Sequence, residues 1–261
     1  MGIVHLSKNE ISVAADSIAI RKGRNRNPDI ITFDACKVAA FGNNLVFVDA
    51  GTAGFIEMPH VQGWDNIEEA RAAYRSVLSK NSTIRGHVED VLGEWARDIT
   101  NRFNDMGTRY PDQFQAAVNP QGTLVDAFFG GEGSDGTLVL YGVSIHPTSH
   151  GSTVATADGG QKGCPYDSFC AVGRGDNMIE FAAGRTERAR RENSSWHSAG
   201  PYSNDSFEYS MSRAIHMVEL TIQYQGAGVN EVGGPIDAVQ LRRIGGTVQA
   251  KWYTRKKNCG Q

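Results

Sequence analysis

The chain has 261 residues, 40% of them hydrophobic, enough for a sizeable core, as one large domain or two small ones. Its 26 basic and 29 acidic residues leave a net charge of -3, which points away from a nucleic-acid partner. No apolar run approaches the length of a membrane span, so no membrane partner is expected.

Ile3–Ser7 and Ile11–Ala15 are short apolar runs around "KNE" and predict a β-hairpin that begins almost at the first residue. No signal peptide is visible there, but removal of an upstream segment is compatible with such an opening, and the compartment is left open. The second run ends in an acid, Asp16, an unusual neighbour for a buried strand. His5, on the first run, reads as a satisfied, partly buried residue. Lys22–Asp29 is rich in turn formers and predicts a loop. Val38–Phe41 and Leu45–Asp49 predict a second hairpin around "GNN", closed by Gly51.

Asp65–Ser79 has a weak helical pattern, whereas Ile84, Val88, Val91, Leu92, Trp95, Ile99 and Phe103 form one continuous stripe and predict an amphipathic helix. Residues 124–145 predict a third hairpin. Its connector, Gly131–Gly136, spells G-x-G-x-x-G, but the sequence after it reads as strand, so a turn is expected rather than a nucleotide site. Gly151–Phe169 reads as loop. Met211, Ile215, Val218 and Ile222 predict a helix over Asp205–Tyr224, and Ile236–Arg242 and Val248–Tyr253 predict closing strands around "IGG". Strands, helices, strands, helix, strands is the order of a layered α+β fold.

The four cysteines are too few for a disulfide scaffold and fit no zinc spacing. Cys164 and Cys170 flank "PYDSF"; a local bridge and two free thiols are both compatible with that spacing. Cys36 reads as a packing residue. His146 and His150 share a loop without a third ligand, so no metal and no cofactor is expected. The basic runs at 20–26, 185–191 and 255–257 read as solvated faces, and the acceptor triplets at Asn81, Asn193 and Asn204 carry no weight without a secretory context.

"ISVAADS" (11–17), "DACKVAAFGNNLVFVDAG" (34–51), "CAVGRGDN" (170–177) and "VGGPIDAVQLRRIGG" (232–246) occur in that order. Together they resemble the N-terminal-nucleophile hydrolases, in particular the branch of the proteasome β-subunits. The resemblance covers most of the chain. It implies a single domain over 1–261, a four-layer αββα sandwich of two antiparallel sheets flanked by helices. It also implies hydrolysis of a peptide or other amide bond by the first residue of the mature chain, usually Thr, with that residue's α-amine as base. Asp16 then matches the acid beside the nucleophile, Lys37 the catalytic lysine that Asp16 pairs, and Gly51 a turn whose N–H is a candidate oxyanion donor. Members of this branch tend to form rings, so a homo-oligomer is expected, with Ile84–Phe103 and Asp205–Tyr224 as candidate contact surfaces.

The sequence departs from the pattern at defined places. Counting back from Asp16 puts the nucleophile just before Met1, and loss of Met1 would leave Gly2 with an amine and no attacking side chain. Arg174, Val229 and Val232 stand where the family has Ser, Asp and Ser around the amine. Valines cannot hydrogen-bond it, which leaves Asn230 or Glu231 as substitutes. Either the natural precursor carries Thr, Ser or Cys immediately upstream, or the chain is a non-catalytic subunit serving assembly. A non-peptidase acylase or amidase is a third expectation from the wider fold.

Overall fold

β1 (Gly2–Leu6) turns back at once into β2 (Glu10–Ala15), with Ser7 N–H donating to Glu10 O at 2.9 Å. The computed structural model describes the chain except residues 22–29, 33–34, 56–58, 119–121, 149–154, 160–163, 174–205, 225–231, 257–258 and 260–261. Every residue of β1 and β2 is buried, because side chains alternate and both faces of the hairpin are covered. Val4, Leu6, Ile11 and Val13 point to a core between two sheets, whereas Ile3 and Ala14 point to a helix on the outside.

After β3 (Ala19–Arg21) and β4 (Ile30–Thr32), which among the described residues pair with each other alone, come β5 (Val38–Phe41) and β6 (Leu45–Gly51). β7 (Gly54–Phe55) and β8 (Trp64–Asp65) form a further small ladder. Three helices follow, α1 (Asn66–Asn81), α2 (Val88–Arg109) and α3 (Pro111–Ala117). Then come β9 (Val125–Glu132), β10 (Leu138–Pro147), β11 (Ala155–Gly159), β12 (Ser168–Val172), α4 (Phe207–Tyr224), β13 (Asp237–Ile244) and β14 (Thr247–Thr254).

One five-stranded sheet has the order β12-β1-β2-β13-β14 and the other β11-β10-β9-β6-β5, with antiparallel neighbours throughout. Val13, Val239 and Leu241 from the first meet Val46, Val48 and Leu140 from the second. α2 closes the outer face of the second sheet, its Trp95 ring lying 5.6 Å from both Phe47 and Phe129. α4 closes the outer face of the first through Met211, Ala214 and Val218. The fold is the expected αββα sandwich.

Differences from the sequence reading have local causes. α2 starts at Val88 rather than Ile84, because Gly86 takes φ +80 and breaks the helical path; Ile84 is buried ahead of the helix. Residues 155–159 and the first two residues of the strand 168–172, within the stretch Gly151–Phe169 read as loop, are strand, and α3 has no counterpart in the sequence reading. β11 is an edge strand with almost no apolar pattern; its backbone pairs with β10 and is clasped by Asn104, which donates to Ala155 O and accepts from Ala155 N. The predicted turn falls within Gly131–Gly136: β9 runs on through Glu132, and Gly133 N donates to Thr137 O at 2.7 Å across the turn.

The bridge Cys164–Cys170 is formed, and Cys36, read as packing alone, is also bridged, to Cys259. A separation of 223 residues leaves no sequence signature for that pair. At the head of α1, Asp65 accepts from Ile67 N and Glu68 N at 2.9 and 3.1 Å. Asp65→Ala is expected to cost about 1 kcal/mol in urea unfolding, as loss of an N-cap does.

Candidate functional site

Met1 lies directly opposite Asp16, because the hairpin pairs Gly2 with Ala15 and the Asp16 N–H donates to Met1 O at 3.2 Å. The α-amine of Met1 therefore reaches Asp16 Oδ1 at 2.5 Å. Lys37, just before β5, donates to the same oxygen from Nζ at 2.8 Å. The other oxygen, Oδ2, accepts from Gly233 N at 2.9 Å and Ile18 N at 3.2 Å. Asp16 is thus a fully buried carboxylate that accepts from the Lys37 cation, the Met1 amine and two backbone N–H groups, the condition under which a buried acid is tolerated.

Burial alone would raise the Asp16 pKa, but the Met1 amine and Lys37 outweigh it and hold the carboxyl below its ordinary value. The amine moves the other way. Burial first, and then the Lys37 cation, lower it from 8.0 to about 5 against the pull of Asp16. Near neutral pH it is a free base, able to accept a proton.

Asp16 and Lys37 are brought together as the sequence implied. The amine beside them belongs to Met1 itself, one residue later than the count from Asp16, because the Ser7–Glu10 connection is short and fixes the register. The Met1 side chain joins Val232, Ala14 and Met211 in the outer apolar cluster. Arg174, Val229, Asn230, Glu231 and His150 lie outside the described residues. Gly51 closes β6 at φ +103, where a Cβ would stand 2.5 Å from Leu124 O, so the turn requires glycine. It lies two residues after Asp49, whose N–H donates to Lys37 O at 3.0 Å, and so at the strand end that carries Lys37.

Sequence reasoning missed three participants. Gly233 supplies a backbone donor to Asp16, and Ser17 ties the same loop by donating to Pro235 O. Asp49 is the third. It is buried and accepts from Asn66 Nδ2 at 2.7 Å, while its Oδ1 has no hydrogen-bond partner among the described residues. Burial pushes Asp49 up to about 7 against the hydrogen bond from Asn66 and the Lys37 charge. "LVFVDAG" has the pattern that singled out Asp16, an apolar run ending in an acid, so the signal was present. His5 is fully buried, not partly, stacked on Phe169 with its Nδ1 3.3 Å from Glu10 Oε1. Among the described residues no helix is long and apolar enough to cross a membrane.

No protein-family model and no curated protein sequence matches the chain. Solved structures do match in fold. Anbu from Yersinia bercovieri, described as an ancestral beta-subunit, shares 15% identity at a TM-score of 0.51 over 98% of this chain and 87% of that one. A mutant of Anbu from Hyphomicrobium sp. strain MC1 shares 14% identity at a TM-score of 0.50 over 98% of this chain and 88% of its own. At such identities the likeness speaks for the fold alone, which this chain shares over nearly its whole length.

Proposed function

We propose that this fold serves hydrolysis of peptide or other amide bonds, with the α-amine seated on Asp16 as the general base. The observation that carries the reading is the buried amine that shares one carboxylate oxygen with Lys37. A neutral amine takes the proton of a hydroxyl or thiol borne by the same residue, which then attacks the carbonyl. Lys37 stabilises the negative charge that develops, Asp16 holds base and cation in place, and Gly51 N–H is the candidate oxyanion donor. The amine then returns the proton to the leaving group, and a water deprotonated by the same amine displaces the acyl group and restores the hydroxyl or thiol.

The thioether of Met1 cannot attack, so turnover belongs to a form with Thr, Ser or Cys at this position. A Met1→Thr protein, released from a cleavable leader, is expected to hydrolyse fluorogenic peptide amides, and Lys37→Met in that background to return the rate to that of the Met1 protein. A folded Met1→Thr protein inert towards a broad peptide and acyl-amide panel would refute the hydrolase reading. Activity on simple acyl amides alone would favour an amidase over a peptidase.

A second reading is a non-catalytic proteasome-like subunit in a homo-oligomer. It is favoured by Val232, which shares the outer apolar cluster with Met1 and carries a hydrocarbon side chain where a hydroxyl would serve the amine. N-terminal sequencing of protein from its native source separates the two: a hydroxyl or thiol residue supports the enzyme, and an intact Met1 supports the subunit.

A further inference from the structure

Lys37 lies just outside regular structure. Ala35, Cys36 and Lys37 precede β5 and have no ladder of their own. The described links to this short stretch come from few places. Ala35 N–H donates to Ser17 O at 3.0 Å, and Lys37 O accepts from Asp49 N at 3.0 Å. Lys37 Nζ is itself held by Asp16 Oδ1 at 2.8 Å, and two further ties come from the far end of the sequence: Lys256 Nζ donates to Ala35 O, and Cys259 is disulfide-bonded to Cys36.

That distal segment is itself anchored beside the site. Lys256 N–H and Nζ bind the two oxygens of Asp237 at 2.8 and 3.0 Å, and Asp237 pairs with Ala15, the residue before Asp16. Cys259 is buried, and its backbone closes on Lys256 O and on the Arg255 side chain. Lys256 and Cys259, beyond the end of β14, thus hold Ala35 with one hydrogen bond and Cys36, the residue next to Lys37, with one covalent bond. Cys164–Cys170 lies elsewhere, against β1, and spans 6 residues.

We propose that the Cys36–Cys259 disulfide is a redox-sensitive clamp that positions Lys37 at the Met1 amine, closed when oxidised and released by a dithiol reductant. The reductant's thiolate attacks one sulfur to give a mixed disulfide, and its second thiol displaces the protein. Two electrons and two protons pass to the Cys36 and Cys259 thiols, while the reductant closes to a cyclic disulfide. The site is then held closed in an oxidising compartment and loosened in a reducing one. The clamp starts from the geometry of the amine, Asp16 and Lys37 and stands whether or not the centre turns over substrate.

The readout is the titration of the Met1 amine, which faces Asp16 from β2, Lys37 from the stretch before β5 and, at longer range, Asp49 from β6. Labelling with 15N-methionine isolates it by NMR, because every other methionine nitrogen is an amide. The protein used is Cys164→Ser/Cys170→Ser, in which dithiothreitol can act only at the clamp. Reduction is expected to raise the amine's titration midpoint by more than about one pH unit as the cation withdraws, with both sheets intact by circular dichroism. Cys36→Ser/Cys259→Ser is expected to show the raised value with or without reductant. A lowered melting temperature with an unmoved midpoint would make the bridge a structural brace and overturn the proposal, and so would loss of the fold on reduction. A midpoint near 8 in the oxidised protein would instead refute the site itself.

Discussion

Asp16→Asn is expected to lower stability by about 3–5 kcal/mol, the scale for removing one member of a buried ionic cluster. The asparagine offers one oxygen where the carboxylate offers two. With that oxygen towards Gly233 N and Ile18 N, its amide meets the Lys37 Nζ ammonium donor to donor; flipped, it strands the two backbone N–H groups. Guanidinium unfolding near pH 7 reads the loss, and a change below about 1 kcal/mol would mean that the cluster is not held as described. The acid side follows from the depressed Asp16 pKa. Its stabilisation is present above the ordinary value of 3.8 and is lost as pH falls through the lower folded value. Acid unfolding of Asp16→Asn should lack that component.

Asp49→Asn should alter stability with the opposite pH dependence. Asp49 binds its proton more tightly when folded, titrating at about 7 against 3.8. Its favourable contribution is therefore complete below the unfolded value and is lost as pH rises through about 7. Relative to the wild type, Asp49→Asn gains about 4 kcal/mol between about pH 4 and pH 8. The unpartnered Oδ1 position would leave an amide hydrogen unsatisfied, which adds a pH-independent cost and does not change that slope. The Met1 amine acts in the other direction, its folded value of about 5 lying below 8.0, so it favours the fold increasingly as pH rises between them. Comparing the two proteins at each pH cancels this common part. A difference that does not vary with pH would show Asp49 to be ionised throughout.

The layers and the heart of the site were legible because burial wrote them into the sequence. β1, β2, β5 and β6 are apolar runs between polar turns, and α2 carries a stripe forced by the face it buries. Asp16 stood out because an acid at the end of such a run needs a partner, and the resemblance pointed to Lys37. β11 was not legible, since an edge strand held by backbone bonds and by Asn104 needs no apolar alternation. The place of Met1 depends on the length of one hairpin connection, which a count of spacing cannot resolve. Cys36–Cys259 joins distant segments that meet only once both sheets have formed. Asp49 was legible by the Asp16 criterion, and it is Asn66, at the head of α1, that supplies its hydrogen bond.

The base, the carboxylate and the cation form one proton-handling centre only if the amine is buried between the other two. The direct measurement is a 15N NMR pH titration of the Met1 α-amine in the oxidised protein. A midpoint of about 5, rising in Lys37→Met, is the predicted result. A midpoint near the ordinary 8.0, indifferent to Lys37, would contradict it.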